Sequence, residues 1–382
     1  MTEAADIALL AAVDAFASAF VAPAAPGWSM GGAPAPHLFT EAARLGLMGL
    51  EVPEAHGGLG RSFALKAKVC ERLAAVDAGF ALSVVNTHNV ALRLCLSAAP
   101  EVRDAHVPGL LSGEVSACTA LTEAGAGADL ASLSTMAVRE TAGYRLTGEK
   151  VWIVNGRHAG LSIGFAQFGE RGARHGIGAI LEDLTAPGVT RTPQESAFAQ
   201  GSIGTGRFVM DGVLVPQNHV ILTPGVAFNS ILTEINGARA YVAAMACGML
   251  GAALEEATAY GNERQTFGVP LVRHQGWRAA LGAAATDLAA ARALTSEAAA
   301  MVAEGADAQL IAAQAKVFAV EAAQRHLPQL FHSMGAVGLE PERCFTRHIA
   351  AAQIAGLTDG ATSLLLDRIA KIVGTPPEQS RS

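Results

Sequence analysis

A block of short, β-branched, turn-bounded segments interrupts a chain that otherwise reads as helix, and any fold must accommodate it. YRLTGEKVWIVNG, HGIGAILEDL, GVTRTP and GRFVMDGVLVP have the length and composition of strands, which places a β domain of roughly 100 residues at 113–222. Before it, ALLAAVDAFASAF, HLFTEAARLGLMGL and ALKAKVCERLAAVDAGFALSV repeat apolar positions at intervals of three and four, with Pro/Gly-rich breaks between them. After it, Val242, Met245 and Met249 form one helical stripe and Ile311, Ala315, Phe318 and Ala322 another. The expected organisation is α+β: an N-terminal helical domain over 1–112, a middle antiparallel β domain over 113–222 and a C-terminal helical bundle over 223–382.

Composition excludes several functions. At 382 residues the chain can bury a large core without cross-links. A net charge of −7 with scattered Lys and Arg lacks the basic stripe that nucleic-acid binding needs. Cys70, Cys95, Cys118, Cys247 and Cys344 are odd in number and never spaced as CxxC, so neither a disulfide framework nor a metal site is expected, and a reducing, cytoplasmic setting fits. The N-terminus has no basic leader and carries Glu3, Asp6 and Asp14, which argues against a signal peptide. No run of ~18 apolar residues is free of Gly, Pro or charge, so no membrane span is expected.

Four stretches carry chemistry. TEAGAGADL, Thr122 to Leu130, is a glycine-rich loop whose backbone can approach a phosphate or flavin; an ordinary tight connection is the alternative. It fits neither dinucleotide fingerprint. In KVWIVNG the strand period sets Trp152 and Val154 on one face and Val151 and Ile153 on the other, the plain reading of Trp152 being a core residue. NERQTFGVPLVRHQ joins two helices through a turn, and Arg264 there either forks a phosphate or favours a helix C-terminus. LTDGATSLLLDRIAK sets Asp359 on a Thr-Asp-Gly turn before a helix, as a base or as the helix N-cap.

Together with LGLMGLEVPEAHGGLG, CTALTEAGAGADLASL, GYRLTGEKVWIVNG and HSMGAVG, in this order, these stretches make the chain resemble the acyl-CoA dehydrogenase family over nearly all its length. The resemblance implies an FAD-dependent dehydrogenase in which a carboxylate removes the proton α to a thioester carbonyl and the β hydrogen leaves as hydride to flavin N5. It implies a flavin between the β domain and the C-terminal bundle, met by Leu121, Thr122, Gly127, Ala128, Trp152, Ile153 and Val154. Arg264, Thr266, Phe267, Gln275, His332, Gly335 and Ala336 would serve the FAD of a partner subunit in a homodimer or homotetramer. Asn236, Arg239 and Gly360 would face substrate. An electron-transferring flavoprotein is the partner such enzymes use.

The family commonly carries its base about 21 residues after the last glycine of the cluster and about 11 before the alanine of a final Ile-Ala pair. Gly338 to Asp359 is 21 and Asp359 to Ala370 is 11, which puts Asp359 at the base, one methylene shorter than the family's Glu. A rival register through Arg347 puts Gly356 there and leaves no base, as in a non-catalytic flavin-binding subunit. Three departures stand out: Val154 replaces a hydroxyl, Ala128 a serine and His332 a glutamine. They suggest a divergent substrate, for example an acyl group on a carrier protein, or an oxidase of the nitroalkane-oxidase type, whose base is also Asp.

Overall fold

The computed structural model describes residues 3–170, 173–196, 198 and 200–374. The ends of the two outer expected domains, residues 1–2 and 375–382, lie outside the described residues. Six α-helices come first: α1 (Glu3–Phe16), α2 (Ala25–Ser29), α3 (Pro36–Arg44), α4 (Phe63–Ala74), α5 (Ala78–Ser97) and α6 (Pro100–Leu111). Helices α3 and α6 open on Pro36 and Pro100, where the missing N–H costs nothing and the fixed φ suits the first turn.

Eight strands follow: β1 (Ala117–Ala120), β2 (Met136–Glu140), β3 (Gly143–Ile153), β4 (Leu161–Glu170), β5 (Ala173–Asp183), β6 (Val189–Pro193), β7 (Gly206–Val215) and β8 (Val220–Leu222). They form one sheet in the order β6-β7-β3-β2-β4-β5-β8, with β1 beside β4. Most pairings are antiparallel, as expected, but β4 takes β1 and β2 as parallel neighbours along one edge. The loop 121–135 between β1 and β2 is long enough to return the chain in the same direction.

That loop leaves a gap in the edge of β4. Ala120 pairs with Gly164 and Met136 with Gln167, so Phe165 has no strand partner there. Lys150 of β3 fills the gap: its Nζ, fully buried, donates to Phe165 O at 2.6 Å, Leu121 O at 3.2 Å and Glu123 Oε1 at 2.8 Å. Glu123 accepts in addition from Ser134 N and Oγ, both at 2.6 Å, and from Thr135 N at 3.1 Å. Burial alone would raise the Glu123 carboxyl, but the hydrogen bonds from Lys150, Ser134 and Thr135 prevail and bring it down to about 2. Both ends of the glycine-rich loop are therefore tied to the sheet by one buried ion pair.

The C-terminal part holds α7 (Ala227–Glu263), a small hairpin of β9 (Gln265–Thr266) and β10 (Val269–Pro270), then α8 (Gln275–Ala303), α9 (Gln309–Met334), α10 (Phe345–Ala355) and α11 (Thr362–Gly374). Helices α8, α10 and α11 all pack on α9, and the helical bundle so formed takes in α4, which packs on α8, and α1, which packs on α4. Val242, Met245 and Met249 are buried as their stripe predicts, and Ala315 and Ala322 likewise, whereas Ile311 and Phe318 are half-buried. By contacts the chain divides into two compact units, one of Met1–Ser29, Phe63–Ala78 and Thr233–Ser382, the other of Met30–Ser62 and Gly79–Leu232. The early helices are thus shared out, α1, α2 and α4 joining the C-terminal helices while α3, α5 and α6 join the sheet.

Among the described residues two helices are long and apolar enough to cross a bilayer by length and mean hydropathy, although each carries charge. Ala227–Glu263 is mostly buried inside the protein; Glu3–Val21 is mostly not, and bears Glu3, Asp6 and Asp14.

Two stability predictions follow from this packing. A Cβ on Gly248 of α7 would come within 2.1 Å of Glu71 O on α4, so Gly248→Ala should cost about 1–3 kcal/mol by overpacking, read as a lowered denaturation midpoint. Lys150→Met strands Glu123 and the Phe165 carbonyl in the interior and should cost about 3–5 kcal/mol. Glu123 lies below its unfolded value, so its contribution is present above pH 4.5 and is lost as pH falls towards 2. Acid unfolding of the wild type, but not of Lys150→Met, should show that loss.

Candidate functional site

The site residues expected from the sequence fall into three groups in the structure. The first lies in the unit that holds the sheet. Leu121 and Thr122 leave β1 beside the end of β3, where Val151 N donates to Thr122 O at 3.1 Å and Lys150 to Leu121 O. Register between β3 and β7 slips between Lys150 and Ile153, a bulge that buries Lys150, Val151 and Ile153 and turns Trp152 out. The predicted alternation of Val151 and Ile153 against Trp152 holds through the bulge. Trp152 sits at φ +57°, an unfavourable value for a bulky residue, and leaves 54% of its surface exposed. It is therefore not a core tryptophan.

Ile153 packs its side chain among Phe208, Ala159 and Met210, so only its backbone is left for a ligand. Val154 is half-buried, and Gly127 and Ala128 are exposed. A Cβ on Gly125 or Gly127 would meet nothing within 4 Å. An exposed indole, an apolar neighbour and an open stretch of glycine backbone fit the flat ring and phosphates of the flavin expected there.

The second group is in the other unit and gathers around Asp359. Helix α10 ends at Ala355, α11 starts at Thr362, and the connection between them turns through Asp359 at φ +53° and Gly360 at φ +102°. Arg239 of α7, almost fully buried, donates from Nε to Asp359 O at 3.3 Å and from Nη1 to Asn236 Oδ1 at 3.0 Å. Lys316 of α9, 1% exposed, donates from Nζ to Gly360 O at 2.6 Å. The Asp359 side chain is half-buried, and among the described residues no group hydrogen-bonds its carboxylate, the first turn of α11 included. The N-cap role is not the one it plays here.

Electrostatics around that carboxylate are opposed. Burial pushes the Asp359 carboxyl up from the ordinary carboxylate value, while Lys316 and Arg239 pull it down without cancelling the rise. Burial likewise lowers Lys316 to about 8, with Asp359 acting to raise it and Arg239 to lower it. Arg239 falls to about 10 through burial and the neighbouring Arg368, against the raising effect of Asp359. A half-buried, uncommitted carboxylate beside two cations, its pKa raised, is a proton acceptor stronger than a solvated aspartate. Gly356, the rival base position, is buried at the C-terminus of α10, and a side chain there would run into Gln324 Nε2 at 2.8 Å, not towards Arg239.

The third group lies on the surface of the same unit and is not brought to Asp359. Arg264 and Gln275 are exposed, Thr266 Oγ1 meets His274 Nε2 at 3.0 Å, and Phe267 at the hairpin tip is 97% exposed with φ +52°. His332, Gly335 and Ala336, at the end of α9, are exposed as well.

Lys316, Glu123 and Lys150 escaped the sequence reading. Glu123 and Lys150 stand inside the quoted motifs, unassigned. The signal for Lys316 was there: it is the one charge in AAQAKVFAV, a segment otherwise small or apolar apart from one glutamine.

Comparison with known proteins agrees with this fold. Three family models match: acyl-CoA dehydrogenase N-terminal domain over residues 3–114, middle domain over 118–213 and C-terminal domain over 228–374. An acyl-CoA dehydrogenase of Bacillus subtilis (strain 168) is 31% identical over 330 residues, 86% of either chain. The solved butyryl-CoA dehydrogenase of Megasphaera elsdenii superposes with a TM-score of 0.90, covering 98% of both chains at 27% identity. A chain from a structure of the electron transferring flavoprotein of Acidaminococcus fermentans, solved towards a mechanism of flavin-based electron bifurcation, gives 0.89 at 25% identity, covering 98% of this chain and 99% of that one. With three domain models in order across the chain, the protein belongs to the acyl-CoA dehydrogenase family, FAD-dependent enzymes that dehydrogenate acyl-CoA.

Proposed function

We propose that the protein desaturates an acyl thioester, with Asp359 as the base that takes the α proton. The observation that carries this reading is the Asp359 carboxylate itself: half-buried, bonded to nothing, and flanked by Arg239 and Lys316. Burial strengthens the base, and no hydrogen bond ties it to the first turn of α11. No acceptor is recorded for the backbone N–H of Asp359 or Gly360 among the described residues, so both are free to donate to a thioester oxygen as negative charge develops on it. Arg239, itself bonded to Asn236, holds the loop at Asp359 O. Bound FAD supplies the acceptor for the hydride and its two electrons.

The first substrate to test is a short acyl-CoA, because the Megasphaera neighbour is a butyryl-CoA dehydrogenase. A carrier-protein thioester is the second, given Ala128, Val154 and His332. The exposed residues of the third group would meet the FAD of a second copy, making the working form a homodimer or homotetramer, and an electron-transferring flavoprotein would reoxidise it. All five cysteines are free, which suits the reducing cytoplasm as its location.

Val154 favours a second reading. It is half-buried beside Trp152 and offers no hydroxyl to the flavin, which suits an oxidase.

Anaerobic reduction of the flavin by a panel of acyl-CoA and acyl-carrier-protein thioesters tests the substrate. Bleaching by at least one is expected, and none by any would leave the non-catalytic subunit. Stoichiometric peroxide in air with a nitroalkane would move the reading to the oxidase. Asp359→Asn should keep its FAD and lose about 10²–10⁴-fold in reduction rate; a wild-type rate removes Asp359 from the mechanism. The base must be ionised to act and its pKa is raised, so the acid limb of the rate profile should lie above the ordinary carboxylate range, with the rate falling as pH drops through it.

A further inference from the structure

Lysine 316 stands where a lysine is costly. Its neighbours on α9, Ala312, Ala313, Ala315, Val317, Ala319 and Val320, are all buried, and so is its own side chain, down to 1% exposure. An ammonium taken out of water costs several kcal/mol unless oxygen surrounds it. Among the described residues Lys316 makes one hydrogen bond, from Nζ to Gly360 O at 2.6 Å, and the opposite charge that acts on it is Asp359, the preceding residue. Arg239 takes the Asp359 carbonyl. The two carbonyls of the Asp-Gly pair are thus each held by a buried cation, one from α7 and one from α9. Two successive residues at positive φ, one of them not glycine, need such external ties, because the backbone does not favour that shape by itself.

We propose that Lys316 is a positioning residue of the active site: by holding the Gly360 carbonyl it fixes the left-handed turn, and with it the direction of the Asp359 carboxylate and of the two free amides. This rests on the reading of Asp359 as base. The same ammonium also moderates that base. Four charged groups meet here: Lys316 from α9, Arg239 from α7, Arg368 from α11 and Asp359 from the loop. Removing Lys316 takes away one of the two cations that hold down the Asp359 carboxyl, so the acid limb should move to higher pH. Deprotonating Lys316 in the wild type weakens its grip on Gly360 and produces an alkaline limb near pH 8.

The test compares FAD-loaded wild type, Lys316→Met, Lys316→Arg and Asp359→Asn. In Lys316→Met, FAD content should persist while amide hydrogen exchange at Gly356, Leu357, Thr358 and Thr362, the amides around the turn that have acceptors, quickens about tenfold. Flavin reduction by the thioester should slow by about 10²-fold, the cost of a small misplacement of a reacting group. The acid limb should shift upward, and Lys316→Arg should regain part of the rate. Wild-type exchange in the loop together with a wild-type acid limb in Lys316→Met would overturn the proposal. Where the methionine variant does not fold, Lys316→Gln keeps a donor and drops the charge; it should retain loop protection and still move the acid limb, and an unmoved limb counts against the proposal. Loop exchange reads the tether whether or not Asp359 is the base, and Asp359→Asn kinetics read the base alone, so either can fail without the other.

Discussion

A buried ammonium needs oxygen around it, and this protein meets that need twice with the backbone of a loop. Lys150 takes Leu121 O, Phe165 O and the Glu123 carboxylate; Lys316 takes Gly360 O with Asp359 beside it. In both cases the cation comes from a regular element, β3 or α9, whose own hydrogen bonds hold it rigid. In both cases the loop it ties carries residues of the proposed site. The difference between the two is compensation. Glu123 receives four hydrogen bonds and is driven far down, so the pair is a closed structural unit. Asp359 receives none among the described residues and is driven up, so its carboxylate is left uncommitted, as the proposed base requires.

Backbone strain follows the same division. Among the described residues the non-glycine positive-φ positions are Trp152, Asn155, Phe267 and Asp359. Asn155 is buried and its amide donates to Ala117 O, a local structural reason for its shape. The other three lie at the bulge of β3, the tip of the β9–β10 hairpin and the α10–α11 turn, and each presents an exposed or uncommitted side chain. Strain of this kind, of order 1–3 kcal/mol per residue, persists only where surrounding structure enforces it. At Trp152 the bulge against β7 does so, and at Asp359 the two cations do.

Much of this was legible in the chain because it rests on local pattern. Helical stripes, β-branched strands and glycine loops are set by neighbours three or four residues away, and the observed elements follow them: helices to Leu111, strands from Ala117 to Leu222, helices from Ala227. The Thr-Asp-Gly turn that carries Asp359 was likewise local, whereas its reading as a base came from the family spacing between Gly338 and Ala370. What was not legible depends on long-range placement. Periodicity assigned Trp152 a face but not its exposure, which comes from a slip in register against β7. Lys316 looked like one charge in an alanine helix; its meaning lies in a carbonyl 44 residues further along. The parallel neighbours of β4 also depend on how a loop returns, which no period within β1 or β2 encodes.

An aspartate as the proposed base sharpens the consequence for catalysis. An aspartate has one fewer rotatable bond than a glutamate, so its carboxylate is placed more by the backbone and less by its own side chain. Placement of the proposed base therefore passes to the turn, and from the turn to the two cations that hold its carbonyls. A glutamate on a slack loop can still search for its substrate through an extra torsion. An aspartate cannot, and a fold that carries one must fix the peptide instead. Arg239 at Asp359 O and Lys316 at Gly360 O fix it from two helices at once, which links the length of the acid to the buried charges beneath it.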